Sequence, residues 1–313
     1  MTALPSPRQL GYLVEVADKL NFRAAAEASF VTQSTLSAGI KELESMLGVE
    51  LVERDPKGVR LTPAGEEVVR RARTILAAAQ DLVNTARDAG APLAGIFRLG
   101  VIPTIAPFLL SGVMSKIRDD YPDLKLHLRE DLTERLLEKL RAGDLDAALI
   151  ALPFETAELT VIELFRDEFW FVARQDDPHA KKKEMLVRDL EPGSVVLLEE
   201  GHCLRDHAIA ACGTRSTKTK ALLEATSLTT LIQMVEGGLG VTLLPELTIK
   251  AGILRGTKLI ARPFSGHVPA RTVALVARPA GARRVDVEML AAFFQKHYRE
   301  QSKARPASRR KTR

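Results

Sequence analysis

Two cysteines, Cys203 and Cys212, are the only ones in 313 residues, and both fall within one short stretch that runs from Glu199-Glu200-Gly201-His202-Cys203-Leu204-Arg205-Asp206-His207-Ala208 on to Cys212. A thiol beside His202 and two positions from Arg205 is a candidate for a lowered pKa, because positive charge favours the thiolate, which is the reactive form. A second thiol nearby can resolve an oxidised first one as a disulfide. The plainer alternative is that both are inert, buried small hydrophobes. A thiol-dependent enzyme using Cys203 with His202 or His207 is a poor fit, since a nucleophile and its base must converge in space, which adjacency in sequence does not supply. No catalytic residue is assigned, and the chain is not expected to be an enzyme. The six histidines and two cysteines lack standard ligand spacing, so neither a metal nor a cofactor is expected.

The elements that must position this stretch have an α/β rhythm. Strand patterns at 97–101, 125–128 and 147–151 alternate with helical patterns over 105–119 and 133–142. The aromatic run Glu168-Phe169-Trp170-Phe171-Val172 predicts a crossing into a second lobe, and Arg271-Thr272-Val273-Ala274-Leu275-Val276 a return to the first. A cleft between two lobes follows.

The first part of the chain reads differently. Ser6-Pro7 with Gln9 is a capping-box start, followed by Leu10, Leu13, Val14, Ala17 and Leu20 at helical spacing. Asn21 caps a short second helix, and Thr32 a third whose apolar stripe is Leu36, Ile40, Leu43 and Leu47 before Gly48. The other face of that third helix offers Gln33, Ser34, Thr35, Ser37 and Lys41, groups suited to base edges and phosphates, or else simply solvated. Residues 49–54 and 59–61 read as two strands about the turn Asp55-Pro56-Lys57-Gly58, a wing that places Arg54, Lys57 and Arg60 near a phosphate backbone. A long helix then carries Val68, Ala72, Ile75, Ala79, Leu82 and Ala86 three and four apart, a seam that predicts pairing with a second subunit.

Bulk charge does not carry the DNA-binding reading. The formal net charge is +5, but the terminal residues 302–313 hold six basic residues, Lys303, Arg305, Arg309, Arg310, Lys311 and Arg313, and no acid. Residues 1–90 carry 11 Lys or Arg against 12 Asp or Glu, so pattern must decide. The 46% hydrophobic and 27% charged composition is that of a folded, soluble chain, and 5% aromatic residues is too few for a stacking platform on single strands. With no export signal and no long apolar run, a cytoplasmic protein without membrane contact is expected.

Asn21-Phe22-Arg23-Ala24-Ala25-Ala26 through Gln33-Ser34-Thr35-Leu36-Ser37, then Ile40, Leu43, Glu44, Leu47-Gly48, Leu51, Arg54 and Leu61-Thr62-Pro63-Ala64-Gly65, resembles the signature of LysR-type transcriptional regulators. Ser34 departs from it where many relatives carry proline, and serine also suits a first helical turn. The second half, with Glu236-Gly237-Gly238-Leu239-Gly240-Val241 and Leu244-Pro245, resembles the effector domain of the same family. The fold class so implied is α/β overall: an N-terminal winged helix-turn-helix, a long linker helix, and a C-terminal two-lobed effector domain like the periplasmic binding proteins. The expected spans are 1–65 for DNA binding, 66–90 for the linker and dimerisation helix, 91–301 for the effector, and 302–313 for a basic disordered tail.

Gly-His-Cys-Leu-Arg-Asp with a second cysteine nine positions on is similar to the redox centre of the hydrogen-peroxide sensors of this family, the OxyR subfamily. That resemblance implies that Cys203 is oxidised first and Cys212 resolves it. It further implies a peroxide pocket with Thr104, Thr133, His202, Arg205 and Arg271. By residue type alone, Thr104 and Thr133 can equally be helix caps and Arg271 a solvated residue entering a strand. The resemblance also implies promoter DNA, RNA polymerase and further copies of the chain, as a dimer and a tetramer, as partners. The alternative is a LysR-type regulator that answers to a small anionic metabolite in the cleft, with structural cysteines. If 204–212 is helical when reduced, a rise of ~1.5 Å per residue holds the two thiols about 13 Å apart, and a disulfide then requires that segment to rearrange.

Overall fold

The computed structural model describes residues 4–55, 58–87, 92–190, 194–211, 224–279, 281 and 283–304, with only the backbone of a few of these. The chain divides into two units, the first made chiefly of residues up to Ala89 and the second of residues from Gly90 onward.

In the first unit the local signals are realised one by one. Helix α1 (Pro7–Lys19) opens with the capping box, in which Ser6 Oγ accepts from the Gln9 N–H at 3.3 Å and Gln9 Oε1 from the Ser6 N–H at 2.9 Å. Helix α2 (Phe22–Ala28) is capped by Asn21 and α3 (Gln33–Leu47) by Thr32, and α3 stops at Gly48 with φ 69°, a left-handed conformation that glycine adopts without strain. Leu10, Leu13, Val16, Ala25, Leu36, Ile40 and Leu43 form the shared core. Helix α3 therefore buries Leu36, Ile40 and Leu43 of its apolar stripe, leaves Leu47 at its end 40% exposed, and turns the other face outward.

The wing is strands β1 (Val52–Asp55) and β2 (Gly58–Leu61), antiparallel with Val52 opposite Leu61. The strand expected from Val49 begins only at Val52, because the Val49 N–H still closes on the Glu44 carbonyl at 3.3 Å and the Leu51 N–H donates to Glu44 Oε1 at 2.8 Å rather than to the neighbouring strand. Lys57 lies outside the described residues. Helix α4 (Pro63–Arg87) follows, with Ala72 buried while Ile75 is 51% and Leu82 73% exposed.

The second unit is built on one sheet in the order β10-β6-β11-β5-β3-β4, with β9 also on β6. These strands are β3 (Gly95–Val101), β4 (Leu124–Glu130), β5 (Ala147–Leu152), β6 (Thr160–Arg174), β9 (Thr242–Pro245), β10 (Leu259–Pro263) and β11 (Ala270–Ala277). β3, β4 and β5 run parallel, and β11 and β6 close the first lobe antiparallel. The 15-residue β6 changes partners midway: Thr160–Glu168 pair with β11, whereas Phe169–Arg174 pair with β9 and β10. The expected crossing between lobes thus falls at Glu168/Phe169. A second core around Phe169, Phe171, Leu198, Leu231 and Leu244 belongs to the further lobe.

The short pair β7 (Leu197–Leu198) and β8 (Glu224–Ala225) flanks helix α7 (Cys203–Ala211). Helices α5 (Ser111–Asp120), α6 (Thr133–Ala142), α8 (Leu228–Glu236), α9 (Glu246–Ala251) and α10 (Arg284–Ala304) complete the unit. α10 takes in residues 302–304, the first three of the span expected to be a disordered tail, since Lys303 and Ala304 are good helix formers continuing an established helix. Among the described residues no helix is long and apolar enough to cross a membrane.

Candidate redox pocket and nucleic-acid interface

Gly201, with φ 93°, turns the chain so that His202 and Cys203 enter α7, and Cys203 is its first residue. Its thiol is buried, 5% exposed, as are His202, Thr104, Thr133 and Arg271. Arg271 comes from β11, and three further segments stand around the thiol: the one after β3 brings Ile102, Pro103 and Thr104, the start of α6 brings Leu132 and Thr133, and the α7 turn brings Gly201, His202 and Cys203. Together these eight line a cavity with about 10 Å³ of room for the centre of a water-sized molecule, which holds a species of about one water's size.

Arg271 is the cation of this site, and its guanidinium is fully specified. Nη1 donates to Thr104 Oγ1 at 2.8 Å, Nη2 to the Thr104 carbonyl at 3.2 Å, and Nε to Asp167 Oδ2 at 3.0 Å. Nη2 also lies 3.0 Å from Asp167 Oδ2, and neither side chain of the pair reaches solvent. A charge so placed needs its counter-charge, so Arg271 is not the solvated strand residue that its type alone allowed. Because Thr104 Oγ1 accepts from Arg271, its own O–H remains to donate to a guest.

The two threonines do not cap helices. The turn after Thr104 starts at Ile105, and the first i→i+4 bond of α6 goes to the Leu132 carbonyl. Thr133 Oγ1 is buried without a hydrogen-bond partner, although the hydroxyl stands close enough to Cys203 to favour its thiolate.

Two expectations are corrected. Arg205 does not serve the thiol: its Nη1 donates to the Leu198 carbonyl at 3.0 Å and pairs with Glu224 Oε1 at 2.6 Å. Nor is the resting thiol acidic. Burial pushes the Cys203 pKa up, and the opposing effects of the Arg271 charge, the Thr133 hydroxyl and the Leu204 N–H do not overcome it. His202 adds no positive charge, since burial holds its pKa below the ordinary histidine value despite Glu199 at 3.9 Å. The cation that matters lies 68 positions away on β11, out of reach of any local motif.

Asp167 is the residue that sequence reasoning missed. It sits 104 positions from Arg271, and no spacing marks it. Only the requirement that a buried guanidinium be paired points to a carboxylate, and only the strand register says which. Cys212 lies outside the described residues. Helix α7 continues to Ala211, whose Cα a rise of ~1.5 Å per residue puts about 12 Å along the axis from Cys203.

On the first unit, Gln33, Ser34, Thr35 and Lys41 are exposed along α3 and Ser37 is half-buried. Thr32 ties the start of this face, its Oγ1 lying 2.9 Å from Ser34 Oγ and 2.8 Å from Thr35 Oγ1. Arg60 is exposed on β2, and Arg54 pairs by backbone with Val59 across the wing.

A winged helix-turn-helix unit followed by a two-lobed α/β unit defines a transcription regulator with a sensing domain. Family models match both: the bacterial regulatory helix-turn-helix protein of the lysR family over residues 7–66, and the LysR substrate binding domain over 90–299. The chain belongs to the LysR family. It is 47% identical over 278 residues to the HTH-type transcriptional regulator EstR of Acinetobacter baylyi, covering 89% of this chain and 92% of that protein. It is 38% identical over 297 residues to a probable hydrogen peroxide-inducible genes activator of Streptomyces viridosporus, covering 95% of each. Among solved structures, a full-length OxyR variant from Pseudomonas aeruginosa matches with a TM-score of 0.74 at 36% identity, over 94% of this chain and 95% of that one.

Proposed function

We propose that this regulator senses hydrogen peroxide by oxidation of Cys203 to a Cys203–Cys212 disulfide and answers by changing its assembly on promoter DNA. The observation that carries the reading is the buried Cys203 thiol facing a cavity of about one water's size, with the Thr104 hydroxyl presented by Arg271. A cavity of that size leaves room beside the thiol for a very small signal and none for a metabolite. The name of the Streptomyces relative supports the same signal; that of EstR states none.

The chemistry balances with the residues at hand. The Cys203 sulfur, as thiolate, attacks one peroxide oxygen; an S–O bond forms, the O–O bond breaks, and the departing hydroxide takes up the thiol proton as water. The Cys212 sulfur then displaces the second oxygen as water, and an S–S bond forms. Two electrons pass from the thiols to the peroxide. The Arg271 charge and the hydroxyls of Thr104 and Thr133 stabilise the developing hydroxide. The event is a stoichiometric signal, not an enzymatic turnover. A disulfide needs Cα atoms within about 7 Å, so α7 gives way, and a repacked segment biases one subunit arrangement over another. The exposed apolar residues of α4 pair two chains, two such dimers form a tetramer, and the oxidised assembly recruits RNA polymerase in the cytoplasm.

The test is thiol labelling with mass spectrometry before and after a brief, near-stoichiometric peroxide pulse, with Cys203→Ser and Cys212→Ser alongside. A disulfide that forms rapidly and is lost in both variants is the expected result. Thiols that stay reduced under the pulse would overturn the sensor reading and favour a metabolite-responsive regulator.

A further inference from the structure

Arg271 and Asp167 are direct partners in the β11–β6 register, and Asp167 is the last residue but one before β6 leaves the first lobe. The two oxygens of its carboxylate have separate tasks. Oδ2 takes Nε of Arg271, with Nη2 also at 3.0 Å, while Oδ1 accepts the Leu247 N–H at 2.9 Å in the first turn of α9. The backbone of α9 thus orients the carboxylate, the carboxylate orients the guanidinium, and the guanidinium holds Thr104. Asp167 itself does not line the cavity.

We infer that Asp167 is the positioning residue of the redox pocket, keeping the Arg271 guanidinium on Thr104 and within electrostatic reach of Cys203. The argument is one of charge and geometry. A guanidinium with no solvent exposure cannot stay where it is once its only carboxylate partner among the described residues is gone. Asparagine at this position keeps the shape, but it has one acceptor oxygen to divide between Arg271 and Leu247 and no charge to offer. Arg271 then leaves Thr104, and both the donor geometry at the cavity and the field at the thiol go with it.

This role rests on Cys203 being the reactive group, so the test begins with a reagent other than peroxide. In a Cys212→Ser background, the rate of Cys203 alkylation by iodoacetamide is followed against pH, and peroxide oxidation is measured separately. Asp167→Asn is expected to move the alkylation midpoint to higher pH, in the direction of Arg271→Gln, and to slow peroxide oxidation at least about tenfold, with Asp167→Glu recovering part of both. Loosened packing alone would raise alkylation at every pH without moving the midpoint upward. The double variant Asp167→Asn/Arg271→Gln, which removes both buried charges together and so also serves if Asp167→Asn does not fold, is expected to match Arg271→Gln alone. An unmoved or lowered midpoint in Asp167→Asn, or a double variant whose effect exceeds that of Arg271→Gln, would overturn the assignment. If the midpoint moves as expected while peroxide fails to oxidise even the parent, the peroxide reading falls and the role of Asp167 stands.

Discussion

Arg271 donates to the Thr104 hydroxyl at 2.8 Å across 167 positions of sequence, and neither residue is more than 2% exposed. The bond sets the polarity of the pocket, because a hydroxyl that accepts from a cation has its proton left to give. Thr104→Val removes both functions while nearly conserving volume. Hydrogen bonds to charged groups contribute about 1.5–3 kcal/mol, so the rate of Cys203 oxidation by peroxide should fall roughly ten- to hundredfold. Timed quenching with an alkylating reagent and mass spectrometry measures it, and a rate within twofold of the parent would remove Thr104 from the reaction.

His202, His207 and His297 make the stability of the second unit pH-dependent. Burial holds all three pKa values below the ordinary histidine value, and His207 is further opposed by the Arg271 charge while its Nε2 lies 3.3 Å from the Pro153 carbonyl. With folded pKa values depressed, the unfolded chain binds more protons, so stability is present above about pH 6.5 and is lost as pH falls below it. The thermal midpoint should drop between pH 7.5 and 5.5, and His207→Gln should flatten that dependence. An equal slope in the variant would exclude His207 as a contributor.

Ile75 and Leu82 lie exposed on α4, the face assigned to a second subunit. Ile75→Glu with Leu82→Glu puts charge into that seam, where burying an unpaired carboxylate is strongly unfavourable. Light scattering should show monomers at concentrations where the parent is dimeric or larger. A variant that keeps the parent mass places the interface elsewhere.

Gln33 and Lys41 should separate specificity from affinity. Lys41→Ala is expected to weaken binding on all duplexes alike and to lower the slope of log K against log salt by about one, the signature of a lost phosphate contact. Gln33→Ala should cost about 1–3 kcal/mol at one base position and relax selectivity there. Fluorescence anisotropy on a selected duplex and its single-base variants, across a salt series, reads both. A Gln33→Ala effect that is uniform over sequence would make it a backbone contact.

Most of the fold was legible in the sequence because its signals are local. Ser6 with Gln9, Asn21, Thr32 and Gly48 mark helix ends through bonds that span only a few residues, and each is made in the structure. The lobe crossing could be read from the aromatic run at 168–172, since a strand buried among new partners must be apolar. Where the reading slipped, contacts to the end of α3 decided: Glu44 took the N–H groups of Val49 and Leu51 and delayed the wing strand to Val52.

The candidate redox site divides in the same way. The local motif around Cys203, together with its resemblance to known regulators, marked a candidate stretch, and Thr104, Thr133 and Arg271, named by that likeness, lie buried close to it. The protonation state of the thiol was not legible, because it balances burial against a cation on another strand. Neighbouring residues in sequence suggested His202 and Arg205 as the charges, but the fold buries the first as a neutral ring and commits the second to Glu224. Sequence alone determined most helix ends, the periodicities and the candidate thiol motif, all of which depend on residues a few positions apart. Tertiary structure decided which charge reaches the thiol and which carboxylate holds that charge, because electrostatics depends on distance through space, and the pairing of β6 with β11 sets that distance.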